Sequence, residues 1–417
     1  KGKKMTWDVD YLRDNRDENM GFLSKTLLPD GTEIPGTNFD YNYLQHRKVD
    51  VVSSALDFIL PFEKYKITAG AKVSFTNTRN GINYDTSDPT LVQDDYFRYK
   101  EQIYALYADY SREFSERFSM QLGLRMEHTR TTGISEAKDT EDKHDYTRLF
   151  PTVYLLYSPT DGHALNFSFS NRISRPSQNM VNPFPFYQNK YTYACGREDL
   201  KPSYTYNAEL GYTLKNNFNV SAYYSYSDDV FFQVVDLDAE TNVTSFLWEN
   251  FMQTHAFGLN NSYTFRTKWL QAYAQHGVSY RRTTSSAATT SPEEKGWAYD
   301  ASLRNTFFFN EKKTLLATLS GSYSSRQYQG IYLMSPTYSV SAGMLYRLLD
   351  NKLNLSLNVN NLFVSHSKLE TMSNGLKIIA DNQFSFTSFR IGVSYTFGGD
   401  IRSKGQRNSN EDIQRRL

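Results

Sequence analysis

The feature that most constrains this sequence is a pair of alternating stretches in residues 204–226. From 204 to 214, apolar side chains occupy every second position, with polar side chains or glycine between them. After a polar turn at 215–217, the same period of two resumes from 218 to 226. Because side chains alternate between the faces of a strand, each stretch predicts a β-strand with one apolar and one polar face. The short turn between them predicts a hairpin.

The apolar face of this hairpin differs from the core face of a soluble β-sandwich. It carries Tyr, Phe, Ala and Leu rather than mainly Val, Ile and Leu, and its tyrosines concentrate towards the strand ends. The whole chain is rich in aromatic residues, at 15%, with 32 Tyr and 28 Phe. Lipid-facing barrel strands show this pattern, with aromatic rings at the water boundary. The hairpin therefore predicts one unit of a membrane barrel.

The same alternation recurs along the whole chain and predicts about sixteen strands. These alternating segments lie near residues 1–12, 43–59, 65–78, 96–111, 118–132, 146–158, 164–171, 204–214, 218–226, 243–265, 269–283, 296–309, 314–328, 337–348, 353–363 and 386–397.

The connections between these segments alternate between very short turns and long polar stretches. The long connections are 13–42, 79–94, 133–145, 172–203, 284–295 and 364–385. Outer-membrane barrels have short periplasmic turns and longer outside loops. We therefore predict an all-β fold, a transmembrane antiparallel up-and-down β-barrel over residues 1–397. Asn216 then lies in a periplasmic turn, and residues 398–417 form a periplasmic charged tail.

The composition argues against several other classes of protein. The mean hydropathy is −0.61, and no run approaches the ~18 apolar residues of a membrane helix. The net charge of +1 gives no reason to expect nucleic acid as a partner. A single cysteine, Cys195, excludes an intrachain disulfide framework. The opening residues 1–4 resemble the polar turns found later, so we expect further strands upstream and infer export rather than read it from a signal peptide.

The sequence contains no pattern that indicates catalysis, a cofactor or a metal site. Its seven histidines are scattered without ligand spacing, and no Gly-rich phosphate loop or Gly-x-Ser-x-Gly elbow occurs. Asp236, Asp238 and Glu240 share one loop. Because that loop lacks the bend glycine and the spaced bidentate glutamate of a calcium loop, an ordinary acidic loop is favoured. We therefore predict that the protein is not an enzyme.

Charged and polar side chains on the polar faces of the strands are predicted to face the lumen. They can tune a channel or contact a plug, or they can simply form the wet face of each strand. The residues concerned are Lys72, Arg125, Glu127, Asn207, Glu209 and Arg390.

The connection at 172–203 has an unusual composition. Four prolines interrupt strand pairing there, so its aromatic side chains are held on a loop. Such rings can form a lid that binds a substrate, or they can pack the loop onto the barrel mouth. The aromatic residues are Phe184, Phe186, Tyr187, Tyr191 and Tyr193.

The same connection carries a resemblance to a known family. The matching residues are Asn171-Arg172-Ile173-Ser174-Arg175-Pro176, Asn182-Pro183-Phe184, Lys190-Tyr191 and Gly196-Arg197-Glu198-Asp199-Leu200-Lys201-Pro202. They resemble the R-I-x-R-P, N-P-F and G-N-P-x-L-K-P-E segments of the outer-membrane β-barrel family allied to TonB-dependent receptors. Here 197–199 stand where the family usually has Asn-Pro-x, and Ser203 where it usually has Glu. Residues 101–108, 360–363 and 395–398 also resemble that family's strands.

The resemblance implies a receptor in the bacterial outer membrane, surrounded by lipid, that imports a substrate through its lumen. It implies a barrel of twenty-two strands, of which this chain is the C-terminal part. It also implies an upstream plug domain that contacts the TonB energy-transducing complex, and it is compatible with a surface lipoprotein partner. The alternatives are a plugless porin-like pore and a surface assembly or adhesion barrel. Siderophore, glycan, peptide and cobalamin substrates all fit the sequence.

Overall fold

The computed structural model describes residues 2–86, 94–382, 386–398 and 411–416. This part of the chain is almost entirely β-structure, with two helices of four residues each. The strands are β1 (Lys4–Ser24), β2 (Phe39–Pro61), β3 (Tyr65–Thr86), β4 (Asp95–Ser115), β5 (Phe118–Ser135), β6 (Thr140–Tyr157), β7 (His163–Ser174), β8 (Pro185–Asn189), β9 (Thr192–Cys195), β10 (Ser203–Leu214), β11 (Phe218–Asp238), β12 (Val243–Arg266), β13 (Leu270–Ser285), β14 (Glu293–Phe308), β15 (Leu315–Ser324), β16 (Gln327–Gln329), β17 (Tyr332–Met334), β18 (Thr337–Leu348), β19 (Leu353–Val364), β20 (Ser367–Ser373), β21 (Leu376–Asn382) and β22 (Ser388–Tyr395). The helices are α1 (Gln178–Val181) and α2 (Glu411–Gln414).

The main sheet is an antiparallel up-and-down sheet of eighteen strands. Two of them, β8 and β9, belong to a loop, which leaves sixteen wall strands, the number predicted from the sequence. Each wall strand pairs with the next wall strand along the chain, from β1–β2 to β19–β22. Short strands in two of the long connections form a second sheet from β16, β17, β20 and β21. The all-β barrel architecture is therefore confirmed.

The hairpin of β10 and β11 has the predicted register. Tyr206 faces Tyr226 and Tyr212 faces Val220, so the apolar positions of the two strands share one face. Lys215 and Asn216 both have positive φ, at 47° and 56°. Consecutive left-handed residues are typical of the tight turns that match the twist of a hairpin.

Several strands are longer than the sequence predicted. β1 runs to Ser24 and β2 begins at Phe39, so most of the connection predicted at 13–42 is strand. The connection predicted at 133–145 is only a four-residue turn between β5 and β6. These predictions were wrong because hydrogen-bonded ladders continue beyond the lipid-facing band. There the outer face meets water and carries polar side chains, so the outward apolar residues that marked each predicted strand are missing.

The two faces of the wall differ as a membrane barrel requires. Large apolar side chains on the outer face are exposed, for example Leu106, Leu124, Leu149, Leu210, Leu259 and Leu303. On the opposite face, which encloses residues 175–202, polar side chains predominate and many are buried. Neither helix in the described part of the chain is long and apolar enough to cross a membrane.

Two glycines allow tyrosine rings to lie flat against the inner face. A Cβ on Gly70 would lie 2.7 Å from the Tyr107 ring, and a Cβ on Gly258 would lie 2.6 Å from the Tyr223 ring. Both distances are shorter than a carbon–carbon contact allows. These positions therefore need glycine for close packing between neighbouring strands.

The wall has two edges within the described residues. Among these residues, β1 forms hydrogen bonds only with β2, and β22 forms them only with β19. Outward apolar residues on both of these strands are highly exposed, with Trp7 at 70% and Ile391 at 80%. Edges of this kind are surfaces on which further strands pair. A barrel of twenty-two strands remains a prediction.

Most of the tail predicted at 398–417 lies outside the described residues. Gly398 follows the last strand, and the segment 411–416 contains α2. This segment lies against the inner face of the wall, where Ile413 is buried.

Candidate functional site in the lumen

The connection between β7 and β10 folds back into the space enclosed by the sheet. We call residues 175–202 the inner loop; it contains α1, β8 and β9. Its aromatic residues join a buried cluster on the inner face of the wall. Phe184 is only 2% exposed and contacts Phe97 edge to face, and Tyr187 packs against Tyr41 with ring centroids 5.1 Å apart. The inner loop is thus packed as a protein core is packed.

Hydrogen bonds fix the inner loop to the same side of the wall. The hydroxyls of Tyr41 and Tyr84 both donate to the carbonyl oxygen of Pro185, at 3.1 and 3.3 Å. The guanidinium of Arg47 donates to the side-chain oxygen of Asn179 at 3.3 Å. Because Pro185 begins β8, these bonds hold the start of the loop hairpin against β2 and β3.

The other side of the inner loop is attached to β12. β9 runs parallel to β12, with Thr192 opposite Thr244. Arg197 forms an ion pair with Glu249 at 3.0 Å. The backbone of Lys201 both donates to and accepts from the side chain of Asn250, each at 2.9 Å. The inner loop therefore crosses the lumen from β2–β5 to β12.

A buried ionic network anchors the first residue of the inner loop. Arg175 donates to the carboxylate of Glu127 at 2.5 Å and lies 3.9 Å from that of Glu101. Arg125 also pairs with Glu127. The Glu101 and Glu127 side chains are each 4% exposed. Buried charges require such pairing, and removing one partner is costly.

Two cavities lie on the inner side of the wall, and only the first is lined by the inner loop. The first, which we call the loop cavity, has a volume of about 300 Å³ and lies between the loop and strands β1, β2 and β12. Its lining combines charge, amides and aromatic rings: Arg16, Glu18, Tyr43, Gln45, Arg47, Phe186, Cys195 and Trp248. A concave site with a few convergent polar groups among aromatic surfaces can bind a small molecule or one unit of a larger one.

The second cavity, the wall cavity, has a volume of about 550 Å³ and lies along the inner face of β3–β7. It brings together three of the residues predicted to face the lumen, Lys72, Arg125 and Glu127. The other three do not join them. Asn207 and Glu209 lie on β10, and Arg390 lies on the edge strand β22, where it faces Asn358.

The predicted loop aromatics divide between packing and exposure. Phe184, Phe186 and Tyr187 pack in or against the buried cluster. Tyr193 contacts the Tyr187 ring at 5.3 Å, whereas Tyr191 is 48% exposed. Tyr191 is therefore exposed to solvent and Phe184 is buried, and a substrate-binding role for these rings stays a prediction.

Cys195 lies in the loop cavity and is partly buried by the inner loop. Its thiol donates to the carbonyl of Pro183 at 3.0 Å. Burial raises the pKa of the Cys195 thiol to about 11, with Lys138 opposing and Glu198 adding to that rise. The thiol is therefore protonated and slow to react at neutral pH.

Of the three acidic residues predicted to share a loop, Asp236 and Asp238 lie at the end of β11 and Glu240 lies in the turn that follows. Asp238 accepts from the Glu240 amide at 2.9 Å and from the Thr241 hydroxyl at 2.6 Å. Asp236 accepts from the Asn374 side chain at 2.8 Å. Among the described residues, no group of three His, Cys, Asp or Glu side chains is placed to hold a metal ion.

Sequence reasoning missed the wall residues that hold the inner loop. Phe39, Tyr41 and Tyr43 alternate on β2 and form much of the aromatic cluster, but Phe39 and Tyr41 fell in the connection predicted at 13–42. Their period of two was the available signal. Arg175 belonged to the recognised motif, although its pairing with Glu127 required strands far apart in the sequence to meet.

A family model described as the outer membrane protein beta-barrel family matches residues 1–395. The chain belongs to this family. That confirms the family predicted from the sequence and places the protein in the bacterial outer membrane. No curated protein matches the chain.

Solved structures of receptors and a transporter share the fold of this family member at low sequence identity. The ferripyoverdine receptor of Pseudomonas aeruginosa is 15% identical with a TM-score of 0.60, over 94% of this chain and 54% of that receptor. The ferric yersiniabactin uptake receptor from Yersinia pestis is 15% identical with a TM-score of 0.60, over 94% of this chain and 59% of that receptor. The copper transporter OprC is 13% identical with a TM-score of 0.60, over 91% and 65%. The chain thus spans between half and two thirds of the length of these structures.

Proposed function

We propose that this chain is the barrel of an outer-membrane uptake receptor, which binds a substrate on the side of its long connections and passes it through the lumen. The observation that carries this proposal is the inner loop, which crosses the lumen and is bonded to both walls. Because this packed segment obstructs the lumen, we expect regulated passage of a substrate rather than its free diffusion. The similar solved structures are named as receptors and transporters.

The loop cavity is the proposed contact with substrate. Arg47 and Gln45 offer donors, and Trp248 offers an aromatic surface beside the inner loop. Tyr191 supplies an accessible ring outside the buried cluster. Phe184 and Tyr187 support this site by packing the loop. Siderophores, glycans, peptides and cobalamin each contain groups that such a surface recognises.

Import of this kind needs an energy source, because the inner loop must move. We propose that a plug domain contacts the TonB energy-transducing complex and that the resulting force displaces the obstruction. A surface lipoprotein partner fits the second sheet formed by the long connections. No covalent chemistry by the barrel is proposed.

An accumulation assay tests this proposal. Cells that produce the full-length protein are given a labelled ferric siderophore, an oligosaccharide, a peptide or cobalamin. We expect one probe to accumulate and its uptake to stop when the proton gradient is collapsed. Arg47→Ala should weaken that uptake, whereas Arg304→Ala on the open lumen face should leave it unchanged. Arg304 is the matched control because it is exposed and distant from the loop cavity.

The alternative, a plugless pore, makes the opposite prediction. Small sugars would then enter in proportion to their concentration, and collapse of the proton gradient would have no effect. That result would overturn the receptor proposal.

A further inference from the structure

We infer that the inner face of β2 and β4 carries a docking site for segment 411–416 of the same chain, and that docking of this segment holds the inner loop closed. The inference rests on three independent contacts. They are an apolar contact, an ion pair and a backbone hydrogen bond to the inner loop.

The apolar contact covers two valines that face the lumen. Val49 and Val51 are 0% exposed and pack with Ile413, which is 2% exposed, and Leu12 borders the same cluster. Neighbouring inner-face positions on β2 are polar or charged, such as Arg47 and Ser53. Apolar side chains on a wet inner face expose surface to water until a segment covers them. Ile413 provides that cover.

The ion pair fixes the orientation of the segment on the wall. The guanidinium of Arg416 donates to both oxygens of Glu101, at 2.8 and 3.1 Å. The side chains are 16% and 4% exposed. Two-point pairing of this kind fixes geometry as well as charge. Ile413 and Arg416 are three residues apart, a spacing that places two side chains on the same side of a helical turn.

The third contact joins the docked segment to the inner loop. The backbone amide of Gln178, the first residue of α1, donates to the carbonyl oxygen of Arg416 at 3.2 Å. Glu101, which binds Arg416, also lies 3.9 Å from Arg175 at the start of the inner loop. The segment therefore contacts the wall and the loop together. Its departure would remove one support of the loop and leave Glu101 with fewer partners.

A cross-linking experiment tests the docking. In the full-length protein, Cys195→Ser removes the native thiol, and Val49→Cys with Ile413→Cys introduces a pair at the apolar contact. We expect mild oxidation to join this pair at least about fivefold more efficiently than Val49→Cys with Arg415→Cys, because the Arg415 side chain is exposed. Equal or absent cross-linking in the two pairs would overturn the docking site.

A second experiment tests whether docking holds the loop. The native Cys195 is the reporter, because it belongs to the inner loop, where its thiol is only partly exposed and donates to the Pro183 carbonyl. Ile413→Asp and Arg416→Ala should raise the rate of Cys195 alkylation about tenfold, since each favours local opening. Arg304→Ala on β14, an exposed arginine outside this site, is the control and should leave the rate unchanged. Heat-modifiable migration in gels confirms that each variant forms its barrel. Unchanged alkylation in all three variants would overturn the coupling to the loop.

Discussion

The inner face of the barrel wall has two regions that share one sequence pattern but not one environment. We call the inner faces of β2–β5 the covered region and those of β10 and β13–β15 the open region. In the covered region, Tyr41 and Val51 are fully buried beneath the inner loop and segment 411–416. In the open region, Glu209, Gln275 and Arg304 are exposed. Alternation therefore assigns a side chain to a face, whereas a second segment decides whether that face is wet.

This difference predicts where substitutions are felt. A residue in the covered region contributes to a packed interface, so its removal frees or strains the inner loop. A comparable residue in the open region contacts water, so its removal changes little. Matched substitutions, one in each region, test whether the two regions differ in this way.

The largest expected effect is on the aromatic cluster. Phe184→Ala should destabilise closure of the inner loop by about 3–5 kcal/mol, because a fully buried ring leaves a cavity. The measurement is protection of Cys195 from alkylation, which should fall at least about a hundredfold. The control is Phe386→Ala, since Phe386 is 67% exposed near β22. Equal protection in both variants would show that the inner loop is not held by this packing.

A smaller effect is expected at the buried ion pair. Glu127→Gln keeps the side-chain shape but leaves Arg175 without its nearest carboxylate, which should destabilise loop closure by about 2–3 kcal/mol. Glu209→Gln in the open region should cost under about 0.5 kcal/mol. Limited proteolysis of the inner loop can compare the two. If Glu209→Gln were as sensitive as Glu127→Gln, the distinction between the regions would fail.

The smallest effect is on the pH dependence of thiol alkylation. It compares the two regions without changing the packing of the inner loop. Because burial raises the pKa of Cys195 to about 11, its alkylation should accelerate about tenfold per pH unit from pH 8 to 10. A Gln275→Cys variant carrying Cys195→Ser places a thiol in the open region, and its rate should level off above about pH 8.5. A levelling of the Cys195 rate near pH 8.5 would contradict its burial.

The same pKa sets the direction of a stability change. The folded loop holds the Cys195 thiol with a pKa above the ordinary value, so the neutral thiol is the form that favours closure. This contribution is complete below about pH 8.5 and is lost as the pH rises towards 11. Loop closure should therefore weaken in alkaline solution.

Much of the wall could be predicted because its pattern is local. In β10–β11, alternation from Tyr204 and the turn at Asn216 specify the faces and the register without any distant contact. The same reasoning failed at 39–42, where aromatic residues alternate on the inner face and polar residues lie outside. There the usual association of apolar with outward is reversed, because the inner loop supplies the apolar environment.

By itself, the sequence determined the period of two, the number of wall strands, the outward faces and the family. Each of these follows from neighbouring residues, since a strand alternates its side chains whatever it packs against. Only the tertiary structure decided that Arg175 meets Glu127, that Phe184 is buried and that Ile413 covers Val49. Those contacts join segments far apart in the chain, and whether an inner-face residue meets water or protein depends on the segment that reaches it.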